Sequence, residues 1–168
     1  PPKITNINNT DATFGYKLRD YYIASSYNSC CGGDFQDDYV SLIPLKQVVF
    51  QGARVLDFEI YFVNQLPVVA AGPTSSVYVK GTYNSIPIGG ALGALAAVKR
   101  YAFNHASCPN PEDPLFLHFR IKSDRTEVYA PMAKAIKETF AGMLLDADYG
   151  YEGRPGGSSP SKNLAIVP

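Results

Sequence analysis

Apolar and polar positions along the chain fall into three strand-like stretches, each followed by a helix-like one. Residues 21–26, "YYIASS", begin apolar and turn polar, which predicts a first strand. Tyr39, Leu42, Ile43, Lys46, Val49 and Phe50 recur at helical spacing and predict a first helix over 37–51, closed by Gly52. Over 53–62, Leu56, Phe58 and Ile60 alternate with Asp57, Glu59 and Tyr61, the period of a second strand. Asn64-Gln65 reads as a turn, and 67–72 as either a hairpin return or a continuation of that strand. A second helix, rich in small residues, is expected over 87–104.

The third strand spans 114–123, where Leu117, Phe119 and Ile121 alternate with His118, Arg120 and Lys122. The third helix is expected over 126–145, with a capping box from Asp124 and Glu127 and a stripe of Met132, Ile136, Phe140 and Met143. Residues 1–13 read as an extended polar arm. Residues 147–168 are rich in Gly, Pro and Ser and read as a tail or linker, which leaves one regular domain over 14–146. The chain carries no internal repeat.

Strands alternating with helices predict an α/β fold of βα units around a mainly parallel sheet. Such a series is either half of a barrel of eight βα units or a small open sheet. The charged face of strands two and three favours the barrel. An open doubly wound sheet buries both faces and reads as nearly continuous apolar runs.

At 168 residues, 46% hydrophobic and 18% charged, the chain has the composition of one globular domain. Fifteen Lys plus Arg balance fifteen Asp plus Glu, so no global field calls for nucleic acid or anionic lipid. The longest apolar run, 86–98, is interrupted by glycines and falls short of the about 20 residues that span a bilayer. The N-terminus carries no apolar leader, and three cysteines, two of them adjacent, make no disulfide framework. The expectation is an unsecreted protein without a transmembrane segment, intracellular or carried in a virion.

Four blocks then carry a resemblance: "SSYN" (25–28), "GARVLDFEIY" (52–61), "PVVAAG" (67–72) and "PLFLHFRIKS" (114–123). Their order and spacing resemble the X region of phosphatidylinositol-specific phospholipase C, over residues 18–145. The wording of "DYYIASSYNS", "LDFEIY" and "HFRIKS" is most similar to phospholipase C-like proteins of large DNA viruses of algae and protists. The resemblance implies the first half of a distorted TIM barrel. It also implies two histidines flanking the scissile phosphodiester and, in eukaryotic members, a calcium ion held by Asn and acidic oxygens.

Matched position by position, the two histidines fall on Tyr27 and Ala71. The calcium-side positions fall on Asn28, Asp57 and Glu59, and a further expected glutamate falls on Arg120. A tyrosine hydroxyl holds its proton too tightly to serve as a base near neutrality, and alanine has none to give. Arginine among calcium ligands repels the ion. The resemblance therefore implies a pseudoenzyme pattern: no cofactor, calcium lost, and Arg120 filling the metal position against Asp57 and Glu59.

Other candidates are weaker. His118, on the face of Arg120 with Lys122, is either a lumen proton carrier or a hydrogen-bonded interior group. His105 and Cys108 with Cys30 and Cys31 could supply a zinc site, although adjacent cysteines rarely share an ion. Gly32-Gly33 could cradle a phosphate or be a loop needing positive φ. Lys80 could meet an anionic head group or remain solvated.

Three βα units do not close a barrel, and an uncovered strand edge invites pairing. Other protein subunits are therefore expected to cover it, with 1–13 and 146–168 as reaching segments. No nucleic acid is expected, and membrane contact has no support. The expected function is an inactive structural or assembly module, such as a minor component of a virus capsid or particle. The alternatives are a phosphodiesterase with a rearranged site using His118, and a phosphoinositide-binding module without turnover.

Overall fold

The computed structural model describes residues 4–7, 16–73 and 78–145. The second predicted strand is its centre: β2, Val55–Val63, lies in the middle of a five-stranded curled sheet. One edge of β2 pairs in parallel with the strand Phe116–Lys122 from Val55↔Phe116 to Tyr61↔Lys122. The opposite edge is shared. Its first residues pair in parallel with β1, Ser25–Ser26, and its last residues pair antiparallel with β3, Leu66–Ala70. β3 in turn pairs antiparallel with β4, Ile86–Pro87, so Phe116–Lys122 is β5.

The sheet is thus mixed where a mainly parallel one was expected. A two-residue turn decides this. Asn64 and Gln65 both have positive φ, 50° and 62°, the conformation that matches strand twist in a tight hairpin. The return strand then must run antiparallel beside β2. β1 is also shorter than the predicted 21–26. Its register, Ser25↔Val55, places Tyr21 to Ile23 opposite the loop before β2, where no strand exists to pair with.

Helix α1, Leu42–Phe50, starts on Ser41, whose Oγ accepts the Ile43 N–H, and ends before Gly52 at φ 89°. Its buried residues are Leu45 and Val49, flanked by Leu42 and Val48. The predicted stripe was rotated. Ile43 and Phe50 are exposed, Tyr39 lies ahead of the helix, and Lys46 sits over the rings of Phe50 and Tyr101. The helix begins at Leu42, five residues after the expected start, because Ser41 caps it there.

Helix α2, Ala94–Ala102, is shorter than the 87–104 predicted, because Ile86 and Pro87 belong to β4 and Gly89 to Gly93 make the turn. It buries Ala94, Leu95, Ala97, Val98 and Ala102. Helix α3, Tyr129–Thr139, follows a 3₁₀ turn at Thr126–Val128. Asp124 and Glu127 do not form the expected capping box; Ser123 Oγ accepts the Arg125 N–H instead. Met132 and Phe140 of the predicted stripe are buried, Ile136 is half-buried, and Met143 lies exposed beyond the helix.

The core lies between the helices and the apolar face of the sheet, where Leu56, Phe58 and Ile60 meet Leu45, Val49, Leu95, Val98 and Val128. Phe58 stacks on Phe119 across β2 and β5. The described part of the N-terminal arm is tied down: Ile7 N–H donates to Asp113, and Asn6 Oδ1 accepts the Glu112 N–H. The tail over 147–168 lies outside the described residues.

Candidate functional site

The polar face of the sheet carries the charged cluster. Alternation in β2 sends Asp57, Glu59 and Tyr61 to one side, and the parallel register sets them opposite His118, Arg120 and Lys122. Asn28 joins from the loop after β1. Arg120, half-buried between the buried Asp57 and Glu59, organises the group.

Arg120 makes four hydrogen bonds. Its Nε and Nη2 grip both oxygens of Asp57 at 3.0 and 2.8 Å, and Nη1 donates to Glu59 Oε1 at 2.6 Å. Nη2 also donates to Asn28 Oδ1 at 2.6 Å. The ring of Tyr27 lies over the guanidinium, 4.4 Å from Cζ. This is the bidentate fork that arginine forms and lysine does not.

Each carboxylate is satisfied from other sides as well. Asp57 accepts the Asn28 N–H at 2.9 Å and sits 2.7 Å from His118 Nδ1. Glu59 Oε2 accepts the Tyr61 hydroxyl and the Gly72 N–H, and Lys122 Nζ lies 4.0 Å from Oε1. Burial works to raise the Asp57 pKa, but the hydrogen bonds from Arg120, the Asn28 N–H and His118 outweigh it and hold the carboxyl below its usual range. The Arg120 guanidinium, bonded to Asp57, holds its proton more tightly than a free arginine. Burial, then the bond to Glu59, pushes the Tyr61 hydroxyl up.

A divalent cation does not fit these residues. The oxygens of Asp57, Glu59 and Asn28 that would ligate it are already 2.6–3.0 Å from guanidinium nitrogens. Asn28 holds its place with φ 44°, and its buried Nδ2 finds no partner among the described residues. Ala71 is fully buried, and its carbonyl accepts the N–H groups of Gly81 and Thr82. A methyl group there supplies no proton. His118 is different: its ring is 62% exposed and is held by Asp57. That is the pairing by which a carboxylate orients an imidazole for proton transfer.

The remaining candidates separate. His105 is exposed beside Glu112 at 3.8 Å. Cys30 and Cys108 are buried and Cys31 half-buried. Among the described residues no three His, Cys, Asp or Glu side chains are placed to hold a metal ion. Gly32 and Gly33 do not have positive φ. A Cβ on Gly33 would meet the Asp38 carboxylate, and a carboxylate is a poor neighbour for a phosphate. Lys80 turns its ammonium onto the carbonyls of Thr82 and Tyr83 in its own loop. No described helix is long and apolar enough to cross a membrane.

Arg54 was not anticipated. It is buried under the opposite end of the sheet, where Nη1 donates to Ala102 O at 2.7 Å, Nε to Pro114 O at 3.2 Å, and Nη2 to Asp113 O. Its guanidinium also lies over Phe103, 5.2 Å from the ring centroid. The signal was present as a single arginine directly before the apolar run of β2, a position that also suits an exposed side chain. No family model and no curated protein matches the chain.

Proposed function

We propose that the chain is a non-catalytic, phospholipase C-like half-barrel in which Arg120 replaces the cation of the site, and that it serves as a structural or assembly module. One observation carries this reading. The guanidinium of Arg120 engages Asp57, Glu59 and Asn28 together, and Lys122 lies 4.0 Å from Glu59, so the two carboxylates are balanced and cross-linked by the chain itself. The buried methyl of Ala71 and the ring of Tyr27 packed on Arg120 support it, because neither offers an acid or base in the place where the resemblance expects histidine. The far edge of β5, unpaired among the described residues, supports an assembly role. It borders an apolar groove lined by Phe103, Leu117, Phe119, Ile136 and Phe140. Placement in a virus particle rests on the resemblance alone.

Calorimetry with calcium on the wild-type chain and on Arg120→Glu, beside a phosphatidylinositol hydrolysis assay, tests the reading. The expected result is no calcium binding and no turnover by the wild type, with binding gained in the variant. Tight calcium binding by the wild type sinks it. The Asp57–His118 contact favours a second reading, a metal-free phosphodiesterase with His118 as acid or base. Hydrolysis without metal that disappears in His118→Asn would establish that one instead.

A further inference from the structure

Beyond the lumen, the loops at the C-terminal ends of the strands carry a rim of exposed aromatic rings. Tyr27 and Phe35 meet edge to face at 6.0 Å, and Tyr39 and Tyr83 lie 5.3 Å apart, each of the three tyrosines more than half exposed. The two loops that carry them are joined. Asp37 N–H donates to Gly81 O, Tyr83 N–H to Asp38 O, and the Asn84 side chain bonds both the N–H and the carbonyl of Val40. Rings held on paired backbones keep their positions without an ordering cost at binding.

Carboxylates outnumber cations on this rim, three aspartates to the one Lys80. Residues 27–39 contain Asp34, Asp37 and Asp38 and no Lys or Arg. Asp34 and Asp37 are exposed and have no ion pair among the described residues. The one lysine in the facing loop, Lys80, spends its ammonium on the carbonyls of Thr82 and Tyr83. Aromatic faces and unpaired carboxylates both attract cations, and the arginine fork uses both. Arg120 already does so from beneath, with its guanidinium on one face of Tyr27 and its nitrogens on Asp57. The same three aspartates repel the phosphates of an anionic lipid surface.

We propose that the rim formed by residues 27–39 and 78–84 is a docking surface for an arginine-rich segment of a partner protein. The guanidinium groups stack on Tyr39 and Tyr83 and pair with Asp34 and Asp37. This surface stands on its own observations, whether or not the lumen turns over a substrate.

The test is fluorescence anisotropy of a labelled arginine-glycine-serine repeat peptide titrated with the full chain at low salt. A glutamate-glycine-serine peptide and vesicles of phosphatidylcholine and of phosphatidylserine serve as competing probes. Binding of the arginine peptide alone is expected. Tyr39→Ala with Tyr83→Ala should weaken it about tenfold, as should Asp34→Asn with Asp37→Asn. Tyr39→Phe with Tyr83→Phe, which keeps the ring faces, should hold wild-type affinity, and so should the outer-helix control, Glu127→Gln in the 3₁₀ turn before α3 with Glu138→Gln in α3. The phenylalanine and aspartate variants keep the test decisive if the alanine pair disturbs folding. The proposal is overturned if no arginine peptide binds. It is equally overturned if the outer-helix variant loses as much affinity as the rim variants, or if vesicles bind through Tyr39 and Tyr83.

Discussion

Arg120 and Asp57 meet in a two-point contact across the centre of the sheet, with Nε 3.0 Å from Oδ1 and Nη2 2.8 Å from Oδ2. The pair joins neighbouring strands, and Asp57 is buried. A carboxylate at such depth is tolerated only with its partner in place.

Removing that partner is therefore costly. Arg120→Met leaves Asp57 and Glu59 buried without their main cation, and urea denaturation should show a loss of about 3 kcal/mol. Combining it with Asp57→Asn and Glu59→Gln should recover much of that loss, because the buried charges leave together. A single variant as stable as wild type would mean that the cluster is far better hydrated than its geometry implies.

Acid should loosen the fold through the same carboxylate. Asp57 in the folded protein holds its proton more weakly than at its ordinary value of 3.8, so the unfolded chain takes up protons first as pH falls. Its contribution is fully present above that value and is lost as pH drops below it. Denaturation midpoints measured between pH 7 and pH 2.5 (about the workable acid range) should fall steeply below about pH 4. Asp57→Asn should be less stable at neutrality and have a flatter profile. An equally steep acid limb in Asp57→Asn would assign the effect to other carboxylates.

The adjacent thiols should be inert in the native state. Burial, then Cys31, pushes Cys30 up to about 12. Burial, then the charges of Glu59 and Asp38, pushes Cys31 up to about 11. At pH 8 only about one Cys31 in a thousand is then thiolate, so iodoacetamide should label it more than about a hundredfold slower than free cysteine. Peptide mass spectrometry should find both cysteines labelled rapidly only after unfolding in urea. Fast native labelling of Cys31 would contradict the burial assigned to it.

Strand alternation was legible early because it depends on the chain alone. Leu56, Phe58 and Ile60 against Asp57, Glu59 and Tyr61 is a period-two pattern that no neighbouring element can alter. The same holds for β5, which puts Arg120 on the polar face of its strand; that it meets Asp57 and Glu59 was expected from the resemblance and needed the strand register. Helix phase was less legible. Tyr39, Ile43 and Phe50 fit a helical period as well as Leu45 and Val49 do, and only packing against the sheet selects which face is buried. Arg54 was missed because a charged residue at a strand start is ordinarily exposed, and its carbonyl partners lie 48 to 60 residues away in the chain.

By itself, then, the sequence determined the strand faces, the tight turn at Asn64-Gln65, the charge balance and the three main helices, because each depends on neighbours within a few residues. Only the tertiary structure decided the registers, the addition of β4 to the sheet, the burial of Arg54 and the aromatic rim joining residues 27–39 to 78–84. Those features depend on which distant segments share one surface, and that is set by packing the whole chain at once.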